Sequence, residues 1–427
     1  MKRFFSKALC GVALMALIAA HGAFAQAKKE ANILEIWHIW TAGGEADAFK
    51  ALTDGFQAAH PDVKLQLRTF SEGGELRQQL GMALMGGNPP ELFYCPGPAT
   101  VLKDFVDAGN LAPVTNVWKA AKCEENFDPS IAAMYRINGD YWAMPLNIHS
   151  ENPIWYNVEV FNKLGLKPPK SWNEYKTICD TLKKNGIAPS VGTIGWPLPM
   201  TIEPFIVKNA GVKGWNSFLN GKLSFTGPEM RQAFKDWKEL YLDQLIKDWT
   251  GYAWADAAKP FVEGKAGMYF SHGDWLESFF KSLGMDESKF GFFFVPAPDA
   301  GATPVIIVDS FALAKGCANP KLGGMFLEYC ASVDGQKRFN KIKGSVAPNK
   351  LVPADIYDAT MSKMYAMYRQ KDTKIIKDSG YIFHNDFQDK WKTLLGQYAL
   401  TPTADVLEKI LQELESKRTT SQFVVWN

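Results

Sequence analysis

The chain lacks the signatures by which most enzymes are recognised. It contains no G-x-x-x-x-G-K-[ST], no G-x-G-x-x-G after a strand, no H-E-x-x-H and no G-x-S-x-G. Phosphate-cradling loops, helix-borne zinc pairs and nucleophile elbows therefore have no support. No C-x-x-C occurs, and His38, His60, His149, His272 and His384 stand as isolated singles, so neither a metal nor a cofactor is expected. Lys/Arg clusters are missing, which removes the basic footprint that nucleic-acid backbones require. Short-period repeats and low-complexity tracts are also missing, which excludes a solenoid. With 45 acidic residues, a catalytic carboxylate pair is the one enzymatic device that inspection leaves open.

Long apolar runs are scarce as well. The first stretch, "MKRFFSKALCGVALMALIAAHGAFA", has a basic start, an apolar run from Ala8 to Ala20 and Ala23-Phe24-Ala25 before Gln26. The run is shorter than the roughly 20 residues of a membrane span. The layout is that of a secretory signal peptide cleaved after Ala25. The expected product is a periplasmic protein with no direct membrane insertion. Losing Lys2, Arg3 and Lys7 with no acidic residue moves the formal charge from +2 to −1. Five cysteines remain, Cys95, Cys123, Cys179, Cys317 and Cys330. An odd number and a long chain favour buried thiols for most of them, with the disulfide question open.

Roughly 400 mature residues exceed what one hydrophobic core accommodates, so two lobes are expected. Periods of two and 3.6 residues alternate at the start. Strands are expected at 32–37, 63–70 and 91–95, and helices follow each of them. That order means a parallel sheet with helices on both faces. A second α/β region follows from about 150, with strands at 152–157, 265–270 and 291–298. Ser171-Trp172-Asn173-Glu174 and Thr226-Gly227-Pro228-Glu229 read as capping boxes. An apolar stretch at 304–316 is broken at Asp309-Ser310, and helices are expected from Pro320 to about Lys417.

Aromatic residues are plentiful: 14 Trp, 14 Tyr and 28 Phe. Most must be core, since they dominate buried area. A few stand beside glycine and polar residues instead. Trp40 precedes Thr-Ala-Gly-Gly-Glu, Trp254 lies in "GYAWADA" and Trp275 in "SHGDWLES". Trp40, Gly73-Gly74 and Tyr94 also follow or end the first three strands, where ligands gather in parallel sheets. An indole face beside carboxylates, amides and cations suits a sugar. Its C–H face lies on the ring, and each hydroxyl bonded to a charged group contributes about 1.5–3 kcal/mol.

Seven stretches carry a specific likeness when taken in order: "WTAGGEADAF" (40–49), "MGGNPPELF" (85–93), "GDYWAMPLNIHSENPIWYN" (139–157), "PPKSWNEY" (168–175), "FVEGKAGMYFSHGDW" (261–275), "DSFALAKG" (309–316) and "KGSVAPN" (343–349). Through them the chain resembles the bacterial extracellular solute-binding proteins of family 1. These are the sugar receptors of ABC importers related to maltose-binding protein, and the glucose/galactose/mannose-binding branch is the nearest likeness. The resemblance implies a type II periplasmic binding protein, α/β and two-lobed, with a cleft between hinge-connected lobes. It implies crossings near 147–150, 295–297 and 332–335. Lobe one would be 26–147 with 297–331, and lobe two 148–296 with 332–427. The family's contact positions fall on Trp40, Glu45, Gly73, Gly74, Trp254, Trp275, Asp309, Lys343 and His384, with Asn147 and His149 as hinge or supporting residues.

This chain departs from that branch in carrying Ile39-Trp40 for a Trp-Trp pair. It also has Tyr94 and Pro96 where a Gln and a His or Lys are usual. Tyr94 is therefore an added aromatic candidate, and the ligand need not be the branch's own. The implied partners are a carbohydrate and the membrane permease of an ABC importer, with the receptor a monomer. Two other readings remain open at this stage. One is an exported glycan hydrolase or lyase using Asp309 and a second acid; the other is a receptor for a non-sugar solute such as a phosphate ester or polyamine.

Overall fold

The computed structural model describes residues 31–41, 43–71, 73–96, 100–254, 256–294, 297–298, 301, 303–370, 375–381 and 385–421. Three strands near the start, Ile33–His38, Lys64–Thr69 and Leu92–Pro96, pair in parallel, with the first in the middle. The helices Gly43–Ala59 and Gly73–Met85 supply the crossovers that parallel pairing demands. Asp309–Leu313 then adds antiparallel to Leu92–Pro96, and Ala143–Pro145 antiparallel to it, which completes a five-stranded sheet. The strand Lys64–Thr69 lies at the edge and is mostly exposed; Val63 is buried in the core and Leu65 partly so, but Leu67 stands in solvent.

The second sheet orders Phe290–Phe293, Ile154–Asn157, Ala266–Phe270 and Ala188–Val191. Its strands are apolar at consecutive positions because both faces are covered. Ile154, Met268 and Phe270 join a core with Phe205, Trp237 and Trp391. Trp155 and Tyr269 point the other way, into a cluster with Phe261, Phe280 and Phe290. One residue of register decides which core each side chain enters.

Helix starts follow the capping chemistry in one of the two expected places. Ser171 accepts from the Glu174 backbone N–H at 3.2 Å and opens Trp172–Lys184. Thr226 does not cap: Gly227 takes that position, and Pro228 at the first turn starts the helix Pro228–Leu240.

The core of the first sheet includes Leu34, Phe49, Phe93, Phe311, Phe339 and Met364. This places part of 332–427 otherwise than expected. The helix Val333–Lys343 packs along Gly43–Ala59, and the core continues through Ala347, Tyr357 and Met361. Ser332 is only the cap between two successive helices, accepting from the Gly335 N–H at 3.0 Å. The chain enters the second core again at Ile376 and Phe387. Ala297 and Val305 also belong to the second core, whereas Ile306 and Val308 belong to the first, so that change of lobe occurs at 305–308. The strand break in this stretch is at Val308, one residue before the expected Asp309-Ser310.

A third, small sheet lies where the chain passes between the cores. Val305–Ile307 is its centre, with His149–Ser150 antiparallel on one side and Ile376–Lys377 parallel on the other. Cys95, Cys123, Cys179 and Cys330 are buried thiols; Cys317 is buried too. Burial pushes the thiols of Cys95, Cys123 and Cys179 up to about 12.

Candidate ligand-binding cleft

The expected site residues of the first lobe come from four chain segments. Trp40 follows the first strand, and Glu45 stands in the first turn of the helix Gly43–Ala59. Asp309 opens its strand beside Leu92–Pro96 and so meets Tyr94. Lys343 ends the helix Val333–Lys343, which stops there because Gly344 adopts φ 71°.

These side chains form one network. The Lys343 ammonium donates to Glu45 Oε1 at 2.8 Å and to Asp309 Oδ2 at 3.0 Å. The Tyr94 hydroxyl donates to Asp309 Oδ1 at 2.9 Å, and Asn147 Nδ2 to Oδ2 at 2.8 Å. Asn147 is itself fixed, since its Oδ1 accepts the Asp309 backbone N–H at 2.9 Å. Burial alone would raise the Asp309 carboxyl. The Lys343 ammonium and hydrogen bonds from His149 and Asn147 outweigh burial and hold it well below the usual carboxylate range. Burial likewise opposes the Lys343 charge, but Asp309 and Glu45 keep that ammonium's pKa above its ordinary value.

The network continues across the lobes through His149. Its Nε2 is 2.8 Å from Asn147 Nδ2, and its Nδ1 meets the Asp274 carboxylate, which also accepts the Ser150 N–H at 2.8 Å. Burial opposes the imidazolium, yet Asp274 raises the His149 pKa. Trp275 packs edge-on against His149, with ring centroids 5.2 Å apart.

The aromatic residues divide sharply. Trp40 is only 2 % exposed and sits among Phe49, Tyr94, Phe311 and Phe339, with the Lys343 ammonium 4.9 Å from its ring centroid. It underlies the polar network rather than offering an open face. Trp254 is half-buried and packs on Trp196, His272 and Phe279, at centroid distances of 5.7, 6.1 and 5.0 Å. Trp196 also reaches Trp275 at 6.2 Å. Trp40 and Trp254 make no ring contact with each other among the described residues. Burial holds the His272 imidazole neutral by lowering its pKa to about 3, and its Nε2 has no partner among the described residues.

The lobes meet at the glycines after Trp40. A Cβ built on Gly44 would lie 2.6 Å from the Ser278 Cβ, and one on Gly43 would lie 3.4 Å from the Phe279 ring. Gly43 also has φ +54°, which a side chain would strain. Lys281 of the helix Leu276–Ser282 pairs with Asp358, which caps the first-lobe helix Ala359–Tyr368. An open groove of about 510 Å³ lies elsewhere along the boundary, lined by Gly74, Arg77, Gln78, Asp104, Phe105, Asn110 and Asp389. Gly73 opens its helix with nothing near its Cβ position. His384 lies outside the described residues.

Trp40, Glu45, Tyr94, Asp309, Lys343, Asn147 and His149 therefore come together, and Trp275 and Trp254 follow on the second lobe. Gly74 faces the groove instead. Sequence reasoning missed Asp274, His272 and Trp196. The first two stand in the quoted "SHGDW", beside the tryptophan that drew notice, whereas Trp196 in "GTIGWPLP" gave no comparable signal.

The family model for bacterial extracellular solute-binding protein matches residues 42–337. The chain belongs to this family. It is 30% identical over 355 residues to an uncharacterized ABC transporter extracellular-binding protein of Pyrococcus horikoshii, covering 80% of this chain and 78% of that one. A probable sugar-binding periplasmic protein of Brucella melitensis is 27% identical over 382 residues, covering 88% of both. Among solved structures, the bacterial solute receptor AcbH superposes with a TM-score of 0.82 at 21% identity, over 91% of this chain and 98% of that one. RafE in complex with raffinose superposes with a TM-score of 0.74 at 18% identity, over 90% and 99%. The fold is thus the two-lobed α/β fold of type II binding proteins. Membership places the working protein outside the cytoplasm, and no helix among the described residues is long and apolar enough to cross a membrane.

Proposed function

We propose that the chain is the periplasmic receptor of an ABC importer, released by cleavage after Ala25. It binds a monosaccharide or short glycoside as a monomer and presents it to the permease. The buried Asp309–Lys343–Glu45 network, joined through Asn147 and His149 to Trp275 and the half-exposed Trp196, is the observation that carries this reading. Fixed acceptors and a fixed ammonium match sugar hydroxyls, and Trp254 and Trp196 match its C–H faces. The names of the relatives point the same way, as does the stated preference of AcbH for β-D-galactopyranose.

Ligand contacts from both lobes stabilise the shut arrangement, so binding moves an open–closed equilibrium, and the permease reads the result. Micromolar affinity needs about 8 kcal/mol net. A few charge-assisted bonds and one or two stacked rings supply that. The Asp309 carboxyl, held low by Lys343, cannot serve as the general acid of a hydrolase, so that reading would have to find its acid elsewhere.

Calorimetry of the mature chain against monosaccharides, disaccharides, polyols, phosphate esters and polyamines tests the proposal. Saturable binding of a sugar, recovered intact after long incubation, is the expected result. Binding confined to a non-sugar, or conversion of the sugar, would overturn it.

A further inference from the structure

Behind the cleft, Glu151, Glu203 and Asp378 bring carboxylate oxygens within 4.8 Å of one another, all three residues being buried. They come from three places. Glu151 directly follows the strand His149–Ser150, and its N–H donates to the Val305 carbonyl at 2.8 Å. Asp378 directly follows the strand Ile376–Lys377, and Glu203 lies on the helix Leu198–Leu219 of the second lobe.

The protein meets part of their hydrogen-bonding demand. The backbone N–H of Ser379 donates to Glu203 Oε1 at 3.1 Å, its hydroxyl donates to the same oxygen, and the Gly380 N–H donates to Asp378. Glu151 Oε2 and Glu203 Oε2 remain buried with no partner among the described residues. An unpartnered buried carboxylate oxygen is costly, and two directed at one small region mark a missing positive group. Lys392 is the cation felt by Asp378, and Asp274 and Asp309 add negative charge around Glu151. Two oxygens that bind the same calcium at about 2.3–2.6 Å can be at most about 5 Å apart, which the observed spacing satisfies.

We infer that Glu151, Glu203 and Asp378 bind a hard divalent cation, calcium above all, that ties two crossing segments to the second lobe. The bound ion offsets the charge of the trio and fixes the crossing sheet at its second-lobe end. Sequence spacing could not disclose the site, because its members are separated by about fifty and by well over a hundred residues along the chain.

The mature chain, purified without chelator, is assayed for bound metals by plasma mass spectrometry. It is then stripped with EDTA and melted with and without millimolar calcium, magnesium or manganese at pH 7.5. About one calcium per chain is expected, with a rise in Tm of about 3–5 °C when calcium is restored. Glu151→Gln and Asp378→Asn should each abolish that rise. A chain that holds no metal and melts at one temperature in every cation would overturn the inference. So would variants that respond to calcium like the wild type, or a Glu151→Gln more stable than the wild type with calcium present, which would mean shared protons instead. Should both variants fail to fold, titration of calcium into the stripped wild type still decides.

Discussion

The two sides of the proposed binding site are built on opposite principles. The first lobe contributes charge: Asp309, Lys343 and Glu45 lock one another in place, and Trp40 is buried beneath them. The second contributes rings around a neutral histidine, with Trp254 and Trp196 partly open to solvent. A wall of paired charges is costly to disturb and so sets geometry. A wall of half-exposed rings can be altered at little structural cost, and so is free to set preference among ligands. Asp274 belongs to the second lobe yet joins the charged network, through His149.

The largest expected effect comes from attacking the charged wall. Asp309→Ala leaves the Lys343 ammonium buried with Glu45 alone, and losing one member of such a pair costs about 3–5 kcal/mol. Urea unfolding should show that loss, and calorimetry a roughly 10–100-fold weaker sugar affinity. A variant as stable and as avid as the wild type would mean that the network does not hold the site.

Next comes the contrast between the two tryptophans. Trp40→Ala empties a packed core position, worth about 3–5 kcal/mol of stability. Trp254→Ala should leave the unfolding midpoint nearly unchanged and weaken affinity about tenfold. If the two exchange behaviour, the division between the walls is wrong.

Gly44→Ala probes the seam between them. The added methyl collides chiefly with the Ser278 Cβ of the other lobe, at 2.6 Å, and lies 3.3 Å from the Ile342 carbonyl of its own. Overpacking of about 1–3 kcal/mol should therefore appear as roughly 5–100-fold weaker binding, with the urea midpoint of each lobe unchanged. Full affinity in this variant would show that closure does not bring these surfaces together.

The smallest effect is one of pH. Burial, reinforced by Asp358 and opposed by Lys281, lifts the Glu277 carboxyl to about 9. The folded chain then keeps a proton that the unfolded chain gives up above about 4.5. Stability contributed by this group should fall as pH rises from there towards 9. Glu277→Gln should flatten the decline in Tm over that range, and an unchanged slope would assign the decline to other groups.

Much of the fold was legible because local signals agreed with it. The alternation of strand and helix periods in the first hundred residues, the Ser171 cap and the terminal helices all depend on short-range chemistry. The site was legible in part, through residues at strand ends and through family likeness. What escaped was long-range. Whether the helix Val333–Lys343 belongs to one lobe or the other depends on the face it buries against Gly43–Ala59, and a break at Ser332 looks the same in either case. The burial of Trp40 depends on Phe311 and Phe339, nearly 300 residues away in sequence. Trp196 gains meaning only from the rings that the fold sets beside it.

The crossing segments are hydrogen-bonded to one another as neighbouring strands, not strung separately between the lobes. Such a strip can twist, but its members cannot wander independently, so the proposed opening of the lobes reduces to something close to a single swing of a door. Little disorder then has to be removed when the door shuts, and most of the contact energy is left to hold the guest.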